Sequence, residues 1–174
     1  MARRATAAAA AASVVALLVA GCGDGGPHGL TSQTLRFTER QDDSSFSFVD
    51  NPPRSVAKRD EPSLSNGDQL TFVADMLDQS GKHVGDLDVS CAVTSAPTGS
   101  FDDAHAQCVG TASIPGGSLT LTVGGKAFGA GTTRGAVVGG TGDYAGATGS
   151  FTSSDESGTD RPSADTFQVF VPEK

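Results

Sequence analysis

Residues 70–77 read LTFVADML, in which an apolar residue occupies every second position from Leu70 to Met76. This period of two indicates a β-strand. A strand directs successive side chains to opposite faces, so residues two positions apart share one face. One face carries Leu70, Phe72, Ala74 and Met76, and the other carries Thr71, Val73, Asp75 and Leu77. Residues 84–94 repeat the alternation after Ser80-Gly81-Lys82, which predicts an antiparallel hairpin.

The chain beyond position 33 continues as short runs of alternating residues separated by turn formers. No stretch keeps apolar residues at helical spacing for three turns. We predict further strands around residues 35–37, 46–49, 107–114, 118–123, 133–138, 143–151 and 165–171. About eight short strands with tight turns predict an all-β fold built as a barrel or a sandwich. We favour an eight-stranded antiparallel barrel, because closure removes exposed strand edges.

The N-terminus predicts export. Arg3 and Arg4 precede an Ala/Val/Leu-rich run over residues 5–20, the pattern of a signal helix. This run is shorter than the roughly 20 apolar residues of a membrane-spanning helix. Residues 18–22, LVAGC, resemble the lipobox of bacterial lipoproteins, which implies that Cys22 becomes the lipid-modified N-terminus. An ordinary secretory peptide cleaved after Ala20 is the alternative.

These features divide the chain into three parts, namely a lipoprotein signal peptide (1–21), a flexible tether (22–33) and a β-barrel domain (34–174). The tether is predicted because residues 23–33 are mostly small or polar and bury too little apolar surface to offset their ordering entropy. The lipobox resemblance implies that the lipid on Cys22 anchors the exported domain to the outer face of the cell membrane.

The remaining cysteines predict a disulfide. Cys91 and Cys108 each lie in a predicted strand, and the chain is expected to reach an oxidising compartment. Pro97, Gly99 and two aspartates between them suit a hairpin loop, so we predict a bond between neighbouring strands; two buried thiols are the alternative. No metal site is predicted, because the chain lacks a CxxC motif and its histidines are scattered at positions 28, 83 and 105.

Several function classes are disfavoured by composition. The net charge is −8 and no run of Lys and Arg forms a patch, which argues against nucleic-acid binding. No serine lies in a GxSxG motif, so a Ser-His-Asp hydrolase is not expected. The glycines at 139–142 lack the lysine of a P-loop. We expect no cofactor.

Residues 136–149, AVVGGTGDYAGATG, resemble the VVGGTG signature of dirigent proteins and the related glycine turn of allene oxide cyclases. Residues 67–70 and 85–87 are similar to the hairpin of the bacterial allene-oxide-cyclase-like group. The resemblance covers roughly residues 65–151. It implies an eight-stranded antiparallel barrel with a largely apolar cavity, and it leaves open assembly into a homo-oligomer.

The same resemblance implies two acidic site residues. Dirigent proteins use acids in their cavity, and Asp75 and Asp143 match those positions, whereas Thr148 replaces the arginine of the family's A-R-G pattern. Alternatively, Asp75 faces solvent and Asp143 is an ordinary turn residue. A ligand pocket would be lined by Leu70, Phe72, Met76 and Tyr144, although small barrels are also often filled by their own side chains.

Two functions follow from these predictions. The first is a membrane-anchored barrel that binds a hydrophobic small molecule or an envelope partner. The second is a cofactor-free cyclase or isomerase, or a dirigent-like protein, that guides a reactive hydrophobic substrate; whether the protein is an enzyme stays open. An enzyme should direct Asp75 or Asp143 into a cavity large enough for a ligand.

Overall fold

The computed structural model describes residues 29–41, 45–53, 63–126, 131–154 and 162–173. In these residues the chain forms nine β-strands: β1 (Leu30–Gln41), β2 (Ser47–Val49), β3 (Gln69–Leu77), β4 (His83–Ser95), β5 (His105–Ile114), β6 (Gly117–Gly125), β7 (Thr132–Gly142), β8 (Thr148–Ser154) and β9 (Ser163–Pro172). None of the described residues belongs to a helix with the length and hydropathy needed to cross a bilayer.

The strands form one closed antiparallel barrel, as predicted. From β3 to β9 each strand pairs with the next, β9 pairs with β1, and β1 pairs with β3 to close the ring of eight. The closing register runs from Thr38 opposite Leu77 to Gln41 opposite Ala74. The short β2 pairs with residues 69–71 at the other end of β3. Two segments therefore share this edge of β3, which would otherwise be open to another chain.

In the strands of the barrel, side chains at alternate positions face the interior. On β9, Phe167, Val169 and Val171 face inward and are at most 5% exposed, while Gln168 and Phe170 between them face solvent. Phe167 lies at the centre of an aromatic cluster, with its ring centroid 4.9 Å from that of Phe151 and 6.0 Å from that of Phe37. The period-two pattern therefore determines which residues form the core.

The predicted disulfide is confirmed. Cys91 on β4 and Cys108 on β5 are directly opposite each other in the register, and both side chains are almost fully buried. The bond closes a loop with a sequence separation of 17 residues. A loop of about this size stabilises the folded state by roughly 3 kcal/mol in the loop-entropy description.

Two predicted boundaries are wrong. Residues 30–33, which we assigned to the tether, pair with β9 from Leu30 opposite Pro172 to Gln33 opposite Val169. Residues 31–33 are polar and show no apolar alternation, so the sequence pattern did not predict this part of β1. Its pairing depends on backbone hydrogen bonds. Residues 143–147, predicted as the start of a strand, form a turn between Gly142 and Gly146, whose positive φ values of 62° and 75° suit glycine.

Three predictions concern residues outside the described ranges. They are the signal peptide (1–21), the lipidation of Cys22 and the tether up to residue 28. They remain sequence-based predictions.

Candidate ligand-binding cavity

The barrel contains a cavity of about 320 Å³ that is partly open to solvent. Pockets for small molecules usually start at about 300 Å³, so this space suits a compact ligand. Most of the residues that line it are apolar, and the majority of these come from four consecutive strands, β3 to β6. The lining side chains from these strands are Leu70, Phe72, Leu87, Val89, Cys91, Cys108, Leu121 and Val123.

The polar lining comes from the other side of the barrel. Glu39, Thr133, Ser153 and Ser163 contribute it, and they lie on β1, β7, β8 and β9, which are neighbours in the sheet. Each stands near the end of its strand, so the polar groups form one rim. A ligand in the cavity would therefore meet an apolar wall on one side and hydroxyl and carboxylate groups at the rim.

A second carboxylate, that of Asp165, is buried beside this rim. Asp165 is 1% exposed and shares the inward face of β9 with Phe167. Its register partners are Phe37 on β1 and Ser153 on β8. Because Glu39 is opposite Ser163, Glu39 and Asp165 occupy diagonal positions, which lie roughly 7–8 Å apart in an antiparallel pair. The barrel thus places two acids close together on its inner face.

The other fully buried acid, Asp68, has a structural role. Its carboxylate accepts hydrogen bonds from the backbone N–H groups of Asn51 (2.8 Å) and Ser65 (2.7 Å) and from the Ser65 hydroxyl (2.9 Å). These bonds hold the chain segments that precede β3. Asp68 does not line the cavity.

The two acids predicted from the sequence lie elsewhere. Asp75 is on the outer face of β3, where its carboxylate pairs with the guanidinium of Arg40. Asp143 is exposed in the turn between β7 and β8, beside Tyr144. Neither residue lines the cavity. Neither acid therefore faces the cavity, because Asp75 alternates with the inward Ala74 and Met76, and Asp143 belongs to a surface turn. Their assignment as site residues stays a sequence-based prediction.

The four predicted pocket residues divide into two pairs. Leu70 and Phe72 line the cavity, whereas Met76 is fully buried in the core and does not line it. Tyr144 is 8% exposed and its hydroxyl donates a hydrogen bond to the carbonyl oxygen of Pro115 at 3.1 Å. This contact joins the β7–β8 turn to the β5–β6 turn.

Sequence reasoning missed Glu39 and Asp165, although a signal was present. Asp165 is two positions before Phe167, and Glu39 is two positions after Phe37, so each acid shares a face with an aromatic core residue. An acid at an inward position of an amphipathic strand is unusual, because buried charges require compensation.

The environment of Tyr144 leads to a pH prediction. Burial, and secondarily the negative charge of Asp143, raise the pKa of its phenol above the ordinary value of 10.0. The Tyr144 phenol should deprotonate at a lower pH in the unfolded chain than in the folded one. The stabilisation that comes from the raised pKa is therefore complete below pH 10 and is lost as the pH rises through the pKa of the folded state. Tyr144 is the only tyrosine and the chain has no tryptophan, so phenolate absorbance reports it directly. Superimposable titration curves in buffer and in denaturant would contradict the prediction.

Comparison with known proteins shows the fold. No protein-family model matches the chain, and no curated protein matches it. Among solved structures, a pyocyanin demethylase is 21% identical, with a TM-score of 0.62 and coverage of 79% of this chain and 99% of that one. The pterocarpan synthase dirigent protein GePTS1 is 16% identical, with a TM-score of 0.61 and coverage of 83% and 92%.

A third similar structure is the Diels-Alderase AbmU from Streptomyces koyangensis, which is 13% identical with a TM-score of 0.53. The match covers 84% of this chain and 70% of that one. Identities this low show a shared fold alone. The chain therefore has the barrel fold of dirigent proteins and cyclase-like enzymes, as the glycine motif at residues 136–149 predicted.

Proposed function

We propose that the barrel takes up a compact, largely apolar small molecule, with the polar end of the ligand at the rim. The single observation that carries this proposal is the cavity, whose volume of about 320 Å³ falls within the range of small-molecule pockets. Its apolar wall favours an apolar ligand, because each Å² of apolar surface removed from water contributes about 25 cal/mol.

The disulfide contributes to the pocket as well as to stability. Both Cys91 and Cys108 line the cavity. The bond joins two strands of the apolar wall, so it keeps that part of the pocket in one shape before a ligand arrives. Such preorganisation reduces the ordering that binding requires.

A second candidate function is catalysis on the bound molecule. Glu39 borders the cavity, and Asp165 is buried at the diagonal position. A carboxyl group in contact with a ligand can transfer a proton as general acid or base. The barrel would also hold a flexible substrate in one reactive conformation. The names of the similar structures, a demethylase, a pterocarpan synthase and a Diels-Alderase, favour such small-molecule chemistry.

The cavity can be filled by one substitution. Val89 is half-buried and lines the cavity, so Val89→Trp should weaken binding by at least about tenfold because the indole takes the space of the ligand. Native mass spectrometry of the full chain from its own host identifies any copurified ligand. Titration with the neutral fluorescent probe N-phenyl-1-naphthylamine then compares the variants.

The control for this experiment lies on the neighbouring strand. Val109 on β5 is 50% exposed on the outer face, so Val109→Trp adds the same side chain without entering the cavity. It should bind the probe like the unaltered protein. Equal affinities in all three proteins would mean that the probe binds outside the barrel, and the proposal would fail.

We also propose that the domain is exported and held at the outer face of the cell membrane by a lipid on Cys22. The support is the basic start, the apolar run over residues 5–20 and the LVAGC motif. Expression in a bacterial host with labelled palmitate should label the chain, and Cys22→Ala should abolish the label. An unlabelled protein cleaved after Ala20 would instead establish ordinary secretion.

A further inference from the structure

The β3–β4 hairpin gathers three metal-ligating side chains on the outer face of the barrel. One ligand atom each from Asp75, His83 and Asp86 lies within 4.8 Å of the other two. The Nε2 atom of His83 is 2.9 Å from Oδ1 of Asp86 and 3.7 Å from Oδ1 of Asp75. This cluster is separate from the cavity, which none of the three residues lines.

A register shift brings His83 into the cluster. Asp86 is three positions after His83, and in a regular strand that spacing puts two side chains on opposite faces. Between Met76 and Leu77 the β3–β4 register shifts, so that Met76 is opposite Gly85 but Leu77 is opposite His83. A β-bulge of this kind redirects a side chain. His83 consequently joins the face of Asp86, which is opposite Asp75.

The carboxylates of Asp75 and Asp86 repel each other unless a cation lies between them. Like charges directly opposite each other on adjacent strands destabilise a sheet. Arg40 on β1 contacts the carboxylate of Asp75, but its side chain is 62% exposed and does not contact Asp86. A divalent cation between the carboxylates would offset the repulsion of both.

The donor atoms favour a transition metal over calcium or magnesium. Two ligands bound about 2.0–2.1 Å from a tetrahedral ion lie roughly 3.3 Å apart, and the two distances from His83 bracket this value. Imidazole nitrogen suits Zn²⁺ and related ions, whereas Ca²⁺ and Mg²⁺ are bound by oxygen ligands. Three protein ligands leave one position of a tetrahedral ion for water.

We propose that Asp75, His83 and Asp86 form a surface site for one divalent transition-metal ion of the Zn²⁺ type. The ion joins β3 to β4 and competes with Arg40 for Asp75. Because the site needs the folded hairpin, the metal stabilises the barrel by mass action. The proposal does not depend on a ligand in the cavity.

Calorimetric titration with Zn²⁺ tests the site in the full chain carrying Cys22→Ser, which removes the one cysteine outside the disulfide. We expect one saturable site with micromolar affinity and a higher Tm in its presence. His83→Ala and Asp86→Asn should each weaken binding by about tenfold or more. Arg40→Gln should tighten binding several-fold, because the competing cation is gone.

His105 is the matched control, since it is exposed on β5 away from the cluster. His105→Ala should leave the affinity unchanged. Titration with Co²⁺ gives a second readout, in which visible absorption bands appear for the unaltered site and are lost in His83→Ala. The absence of saturable binding, or equal affinity in His83→Ala and His105→Ala, would overturn the proposal.

Discussion

Under the catalytic proposal, replacing Glu39 with glutamine is expected to lower turnover of the bound molecule by about 10²-fold to 10⁴-fold, the usual contribution of a general acid or base. Glu39→Gln keeps the shape and volume of the side chain but removes its ability to exchange a proton. Affinity should change little, because the apolar wall supplies most of the contact with the ligand. The measurement uses the compound recovered with the protein and follows its conversion by mass spectrometry.

Glu173→Gln is the matched control. Glu173 follows β9, is exposed and does not line the cavity, so the same chemical change there should leave turnover unaltered. If both variants converted the compound at the rate of the unaltered protein, catalysis through Glu39 would be excluded. Binding in the cavity would then remain as the function, and the Val89→Trp experiment tests it separately.

Phe167→Ala is expected to lower the free energy of unfolding by about 3–5 kcal/mol, the usual loss when a buried Phe is truncated. Phe167 is fully buried and its ring contacts those of Phe37 and Phe151. These three aromatic residues join β1, β8 and β9, so the loss removes contacts from three adjacent strands. Equilibrium unfolding in urea measures the change.

The control for this substitution is on the same strand. Phe170 is 43% exposed on the outer face of β9, and Phe170→Ala should alter stability by about 0.5 kcal/mol or less. A similar loss for both variants would mean that burial does not distinguish the two faces of β9. The inward assignment of Phe167, and of Asp165 two residues earlier, would then be wrong.

The alternation at residues 70–77 predicted β3 correctly, with Leu70 and Phe72 facing the interior. The same pattern, with the glycine turns, predicted the antiparallel barrel. The start of β1 was missed because residues 31–34 are polar, and strand pairing there rests on backbone groups that every sequence possesses. The turn at residues 143–147 was predicted as strand, although its buried residues Tyr144 and Ala147 are three positions apart and do not fit the strand period of two.

The candidate site was predicted less well than the fold. Family resemblance led to Asp75 and Asp143, which face solvent, and away from Glu39 and Asp165, which face inward. The histidines at 83 and 105 are scattered in the sequence, yet the Nε2 atom of His83 lies 2.9 Å from Asp86 and 3.7 Å from Asp75. Proximity across strands depends on register, and a shift of one residue moves a side chain to the other face.

For this protein, the sequence alone determined the fold class, the disulfide partners and the inward face of the strand at residues 70–77. Those properties depend on local periodicity and on residue type, both of which can be taken directly from the sequence. Only the tertiary structure decided that β1 closes the barrel against β3, that a cavity stays open, and which acids share the inner face. Those properties arise from barrel closure and from the register shift at Met76, which bring together residues distant in the chain.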